Sequence, residues 1–307
     1  MDFRSPHIPV LYNEINDLKI KYDGIYLDCT LGFGGHSLGL LKKLKENGKL
    51  IGLDTDPYAL KYSSERLSCF GELFVPIHSN FKSFAKVLDD LQISKVDGII
   101  FDLGISSYQI DSEHRGFSYR YNSPLDMRMN YHAGDTALKM LRNISNEDLE
   151  VILRDYGDIR SYKKIAKSII EKLILNDLNT TFDLRDAIES VVKAKNTNKI
   201  LSQVFQAIRI KVNDEIGSLR AALSIAPKYI NKSGFIAIIT FHSLEDRVVK
   251  NFFRKNYRKV SKNKYSLKNT ENSFFKFITK KPIVPSKEEI QKNPRSRSAK
   301  LRYGIAN

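Results

Sequence analysis

Three aspartates and a run of glycines are the residues in this chain best placed to do chemistry. Asp28 stands just before Cys29-Thr30-Leu31-Gly32-Phe33-Gly34-Gly35-His36, and Asp54 follows 20 residues after Gly34. Asp102 opens the run Asp102-Leu103-Gly104-Ile105-Ser106-Ser107-Tyr108-Gln109. Glycines in such a turn let the backbone approach a ligand and take up positive φ. A carboxylate at the position of Asp54 can hold both hydroxyls of a ribose. A glycine turn with one acid fits a nicotinamide dehydrogenase equally well, so the neighbours decide. Asp28 ahead of the turn favours a cationic ligand and repels a pyrophosphate. Phe81, in His78-Ser79-Asn80-Phe81, is placed to lie against an adenine, the alternative being a core aromatic. Together these point to a sulfonium cofactor, S-adenosylmethionine.

Ligands of open α/β sheets bind beyond the carboxyl ends of the strands, so the Asp102 loop is expected to face the reacting methyl group. Asp102 is the leading catalytic candidate, with the Gly104–Ser107 backbone, Ser106 included, shaping the nucleophile site. His242 and the 124–128 segment are secondary candidates for holding the substrate base. The run TFHSLEDR (240–247) invites a hydrolytic reading. That reading fails because adjacent strand residues point to opposite faces, so His242 cannot activate Ser243. Ser243 is read instead as a helix N-cap, with Asp246 three residues on. The six histidines show no metal-ligand spacing, and no metal is assigned.

The elements that must position these residues follow from periodicity. Apolar strands are predicted at 24–29, 49–54, 73–79 and 96–102, separated by helical patterns, which implies a doubly wound parallel sheet. Pro76 weakens the third strand or places it at an edge. Between 110 and 211 amphipathic helical patterns dominate (146–156, 161–175, 181–194 and 200–210), with a polar loop at 193–199. A fifth strand is predicted at 234–241, followed by a helix. The expected organisation is an α/β domain formed by 1–109 and 212–307, interrupted by an all-helical insertion at 110–211.

Composition limits the class of protein. The charged fraction of 28% and hydrophobic fraction of 42% are those of a soluble globular chain, and a count of two cysteines argues against a disulfide framework and fits a reducing cytoplasm. No apolar run is long enough to cross a membrane, and no secretory signal is read at the start. The net charge of +15 is concentrated: 18 Lys and Arg against three acids lie between Arg247 and Arg302. Basic residues punctuated by Tyr257, Tyr265, Phe274, Phe275 and Phe277 suit a nucleic-acid backbone with base stacking. Arg295, Arg297, Lys300 and Arg302 are expected to hold phosphates, the alternative being that this segment packs as a last strand. Residues 258–273 read as a basic loop.

Longer segments carry a resemblance. HIPVLYNEI (7–15), LDCTLGFGGHS (27–37), GLDTDP (52–57), FDLGISSYQID (101–111), RGFSYRYNSPLDMRM (115–129), FQAIRIKVNDE (205–215), TFHSLEDRVVK (240–250) and NPRSRSAKLR (293–302) resemble the bacterial small-subunit ribosomal RNA cytosine-N4-methyltransferases along the whole chain. The resemblance implies a class I methyltransferase, Rossmann-like, with a helical substrate-recognition insertion. It implies S-adenosylmethionine contacts from Gly34, Gly35, His36, Asp54, Phe81, Asp102 and Gln109. Its implied substrate is a cytosine at the decoding centre of 16S rRNA in the small ribosomal subunit, methylated on N4. Where the family often carries an arginine ahead of FQAIRI, this chain reads ILSQV (200–204), and no RNA contact is assigned there. A non-catalytic rRNA-binding assembly factor is the alternative from another class, and either a monomer or a homodimer is compatible with the sequence.

Overall fold

Side chains alternate between two cores along every central strand, which requires a sheet covered on both faces. The computed structural model describes residues 9–193, 197–257 and 273–307. Two compact units are present, residues 1–104 with 217–307, and residues 105–216. In the first, the strands are β1 (Ile25–Asp28), β2 (Lys49–Asp54), β3 (Phe74–His78), β4 (Val96–Asp102), β5 (Ile230–Thr240), β6 (Phe275–Ile278) and β7 (Lys300–Ala306). They form one sheet of order β3-β2-β1-β4-β5-β7-β6. The pairs β1–β2, β1–β4, β2–β3 and β4–β5 are parallel, and β7 runs antiparallel to β5 and β6.

Leu27, Ile51, Ile99, Ile236 and Ile238 face one core with Phe84, Leu219 and Val249. Their chain neighbours Tyr26, Leu50, Ile100, Ala237 and Ile239 face the other with Leu38, Leu40 and Leu301. The covering helices include α1 (Tyr12–Asn16), α2 (Gly35–Leu41), α3 (Pro57–Leu67) and α4 (Phe84–Asp90). The doubly wound sheet expected from the strand-helix alternation is therefore present. Pro76 lies in edge strand β3, where its missing N–H costs no inner ladder bond.

The second unit holds α5 (Ser107–Asp111), α6 (Ala137–Arg142), α7 (Asn146–Asp155), α8 (Tyr162–Ile174), α9 (Thr181–Glu189) and α10 (Thr197–Val212). Leu149, Leu153, Ile165, Ile169, Leu184, Ile188, Val204 and Ile208 recur at helical spacing and form its core. Helix α10 starts three residues before the predicted 200, so Asn198 and Lys199 are helical rather than loop. The remaining helices of the chain are α11 (Glu215–Ile225), α12 (Ser243–Asn256) and α13 (Lys287–Lys292). The basic loop expected at 258–273 lies, except for Ser273, outside the described residues.

Strand β7 decides between the two readings of the C-terminal basic run. Arg302 is 7% exposed, and its Nε sits 2.7 Å from Asp246 Oδ1. Lys300 Nζ lies 3.6 Å from the other oxygen of the same carboxylate. The expectation that Arg302 holds a phosphate is corrected: its charge is spent inside the fold, tying β7 to α12. Arg295 and Arg297 remain exposed.

Candidate active site

Three adjacent parallel strands, β2, β1 and β4, each end on an aspartate, and the glycine turn leaves from the middle one. The sheet order reverses between β1 and β4, so this edge is the topological switch point where open α/β sheets bind ligands.

Asp28 is 2% exposed. Its Oδ1 accepts from Thr30 N at 3.1 Å and its Oδ2 from Ser37 Oγ at 2.7 Å. It braces the turn from behind. Thr30, which the sequence did not mark, accepts the Asp102 N–H on its Oγ1 at 2.6 Å and so ties the end of β4 to the turn. Gly32 and Gly34 have φ of 50° and 74°. A Cβ on Gly34 would meet Leu67 at 2.8 Å on a backbone of positive φ, and one on Gly35 would meet Pro9 at 2.4 Å, so space opposes a side chain at both and backbone also at Gly34.

Asp54 anchors the turn from β2. Its Oδ2 accepts from Gly32 N and its Oδ1 from Asp56 N, both at 2.7 Å. Each oxygen keeps a second lone-pair direction for a ribose hydroxyl. Burial pushes its carboxyl up to about 6, against the lowering by those two backbone donors. Phe81, in a short 3-10 turn after β3, is half-buried and packs edge-on against Phe101, with ring centroids 5.6 Å apart.

Asp102, at the end of β4, is a strongly perturbed carboxyl. Burial, then the charges of Asp28 and Glu245, push it up to about 8. Its Oδ2 lies 3.7 Å from His36 Nε2, and its buried Oδ1 has no hydrogen-bond partner among the described residues. His36 is buried, and the Tyr12 ring stacks on it at 6.3 Å between centroids and 24° between planes. A crowd of carboxylates with an unanswered acceptor fits a ligand that brings positive charge and N–H donors, and Asp54 fits its ribose. S-adenosylmethionine has both.

These shifts set a pH dependence. Both carboxyls are raised above the unfolded value of about 3.9, so the folded chain holds protons that the unfolded chain releases. Their contribution is fully present below about pH 4 and is lost as pH rises through about 6 and then about 8. Thermal unfolding of the ligand-free chain followed by circular dichroism should show a midpoint that falls between about pH 5 and 8. Saturating S-adenosylmethionine should make that fall shallower, because a bound cation favours the ionised forms; an equally steep fall would place the cation elsewhere.

The 240–247 run is corrected in one respect. The N-cap of α12 is His242, not Ser243, and the box partner is Glu245, not Asp246. His242 Nδ1 accepts from Glu245 N at 3.4 Å, while Glu245 Oε2 accepts from Phe241 N at 2.8 Å and His242 N at 3.3 Å. The other ring nitrogen, Nε2, lies 3.1 Å from Glu245 Oε1. Glu245, given no role from the sequence, is 2% exposed and adds its charge to the Asp102 environment. The signal was available, since His242 and Glu245 are also three apart and Glu is the better box partner. Ser106 and Gln109 belong to the second unit, where they close a reciprocal capping box at the start of α5. Gln109 is 6% exposed there.

A family model described as the MraW methylase family matches residues 4–305. A protein of Clostridium botulinum (strain 657 / Type Ba4), named ribosomal RNA small subunit methyltransferase H, is 47% identical over 315 residues, covering 98% of each chain. One of the same name from Clostridioides difficile (strain 630) is 42% identical over 304 residues, covering 96% of this chain and 97% of that one. Among solved structures, an rRNA methylase from Streptococcus thermophilus superposes with a TM-score of 0.43 at 11% identity, covering 96% of this chain and 93% of that one. With a family model spanning nearly every residue and relatives this similar over their full length, the chain belongs to the MraW methylase family.

Proposed function

We propose that this chain transfers a methyl group from S-adenosylmethionine to the exocyclic N4 of a cytosine at the decoding centre of small-subunit ribosomal RNA. The observation that carries the reading is the row of aspartates at the ends of β2, β1 and β4 around a glycine turn, in a chain whose relatives are named for small-subunit rRNA methylation. The bound cofactor supplies a methyl group already activated on a sulfonium leaving group.

The protein's part is placement. Asp54 holds the ribose, the Gly34–Gly35 backbone and His36 form the floor, and Phe81 borders the adenine. Asp102 accepts an N–H of the cytosine amino group through Oδ1, orienting the nitrogen lone pair towards the methyl carbon. Asp102 would take up the surplus proton that N4 carries once methylated. Orientation of this kind can lower a barrier by about 7–11 kcal/mol. His242 is assigned to holding the base. The second unit is assigned to RNA recognition, because a base must be splayed out of its stack to be methylated.

The exposed Arg295 and Arg297 are assigned to phosphates, together with the neighbouring lysines of the C-terminal region. The plot of log affinity for a small-subunit RNA fragment against log salt should become shallower by about 1.4 when both are changed to Gln, at roughly 0.7 per contact for single strands. An unchanged slope removes this region from the interface. Cofactor choice is tested by thermal shift: S-adenosylmethionine raises the unfolding midpoint and NAD does not. The reverse result would restore the dehydrogenase reading.

A further inference from the structure

The segment just before α1 runs over the glycine turn, and one carboxylate from the far end of the chain holds it there. Pro9 packs on the α-carbon of Gly35, closely enough that no side chain fits between them. Leu11 is fully buried and takes a left-handed backbone, φ 54° and ψ 39°, a conformation that costs a non-glycine residue on the order of 1 kcal/mol and persists only when its surroundings enforce it. The enforcing contact is Glu289 of α13, whose Oε1 accepts the Leu11 N–H at 2.7 Å. Glu289 is itself fixed by the start of α13, where its N–H donates to Ser286 Oγ at 3.1 Å. Directly after Leu11, Tyr12 stacks on His36, which stands 3.7 Å from Asp102. At the end of α1, Asn16 packs against Gly39 of α2. A line of contacts therefore runs from Glu289 through Leu11 and Tyr12 to His36 and Asp102, 278 residues apart in sequence at its first step.

We propose that Glu289 is a positioning residue for the cofactor pocket: it pins the Pro9–Tyr12 strap, and the strap sets the Gly35 backbone and the His36 ring. The proposal rests on this pocket being the S-adenosylmethionine site. It assigns a binding role to a residue in the C-terminal region otherwise read as RNA-facing. Glu289 touches no reactant; its effect is on how well the pocket is formed before the cofactor arrives, so it acts on affinity and spares the chemical step.

The test compares Glu289→Ala, Glu289→Gln and Tyr12→Ala with the unsubstituted full chain. Glu289→Ala leaves the buried Leu11 N–H unanswered, and the Kd for S-adenosylmethionine measured by calorimetry rises about tenfold. KM for the cofactor rises in parallel, while kcat at saturation changes by less than about twofold. Glu289→Gln keeps an acceptor oxygen and recovers most of the affinity. Amide exchange in the absence of ligand speeds up not only at 10–16 but also at 34–38. If Glu289→Ala does not fold, Tyr12→Ala, which removes the ring stacked on His36, carries the same expectation for Kd. A variant that lowers the unfolding midpoint yet leaves Kd and the exchange at 34–38 unchanged makes the contact merely structural and overturns the proposal. Failure of the unsubstituted chain to bind S-adenosylmethionine would instead remove the functional reading, while the exchange at 34–38 would still report on the strap.

Discussion

Asp102→Asn lowers methyl transfer at saturating cofactor by about 10²–10⁴-fold, the range typical of losing a positioned proton acceptor. Asparagine is nearly isosteric, and the backbone bond from Asp102 N to Thr30 Oγ1 does not depend on the side chain. The substitution removes a carboxyl that burial, Asp28 and Glu245 all disfavour as an anion. The variant should therefore be at least as stable as the parent near pH 8, and its unfolding midpoint should vary less with pH. A loss of activity coupled to undiminished stability separates a chemical role from a structural one. Single-turnover rates with saturating cofactor, set beside unfolding curves at about pH 6 and 8, give the answer. Full turnover in the variant removes Asp102 from the proton's path.

The second large effect is on binding. Asp54→Asn replaces two acceptor oxygens by one oxygen and one amino group, yet both Gly32 N and Asp56 N point at them. In either orientation of the amide, one backbone N–H faces an N–H₂. Stranding that donor costs the folded chain about 1–3 kcal/mol of stability, and the ribose hydroxyls separately lose a charged acceptor, a hydrogen bond worth about 1.5–3 kcal/mol of affinity. Calorimetric titration should show the Kd for S-adenosylmethionine rising up to about 10²-fold, with the rate at saturation nearly kept. An unchanged Kd would mean that Asp54 supports the turn without holding the ribose.

What the sequence made legible is the part governed by local rules. Strands β2 and β4 coincide with the predicted 49–54 and 96–102, because each carries a short apolar run (50–53 and 98–101) stopped by an aspartate. Helices α7 and α8 agree with their predicted spans to within one residue at each end, since their apolar spacing is uninterrupted. The glycine turn and its flanking acids were also visible, because backbone freedom and charge are properties of residue type. Misses came where a distant partner decides. Nothing near Arg302 announces Asp246, 56 residues earlier, so a buried ion pair read as part of a basic run. The strap is similar: Tyr12 and Glu289 gain meaning only once the fold brings both to the turn. Strand β6 is four residues with exposed Lys276 and Phe277, too short and mixed to stand out against a lysine-rich background. At His242 the failure was local, a capping box read one residue out of register.

The most direct test is transfer of labelled methyl from S-adenosylmethionine to small ribosomal subunits from cells lacking this activity, followed by digestion of the RNA to nucleosides. The prediction is label in N4-methylcytidine from a single decoding-centre site with the unsubstituted chain, and almost none with Asp102→Asn. Label in any other nucleoside, or none in RNA from a chain that binds the cofactor, would contradict the proposed reaction.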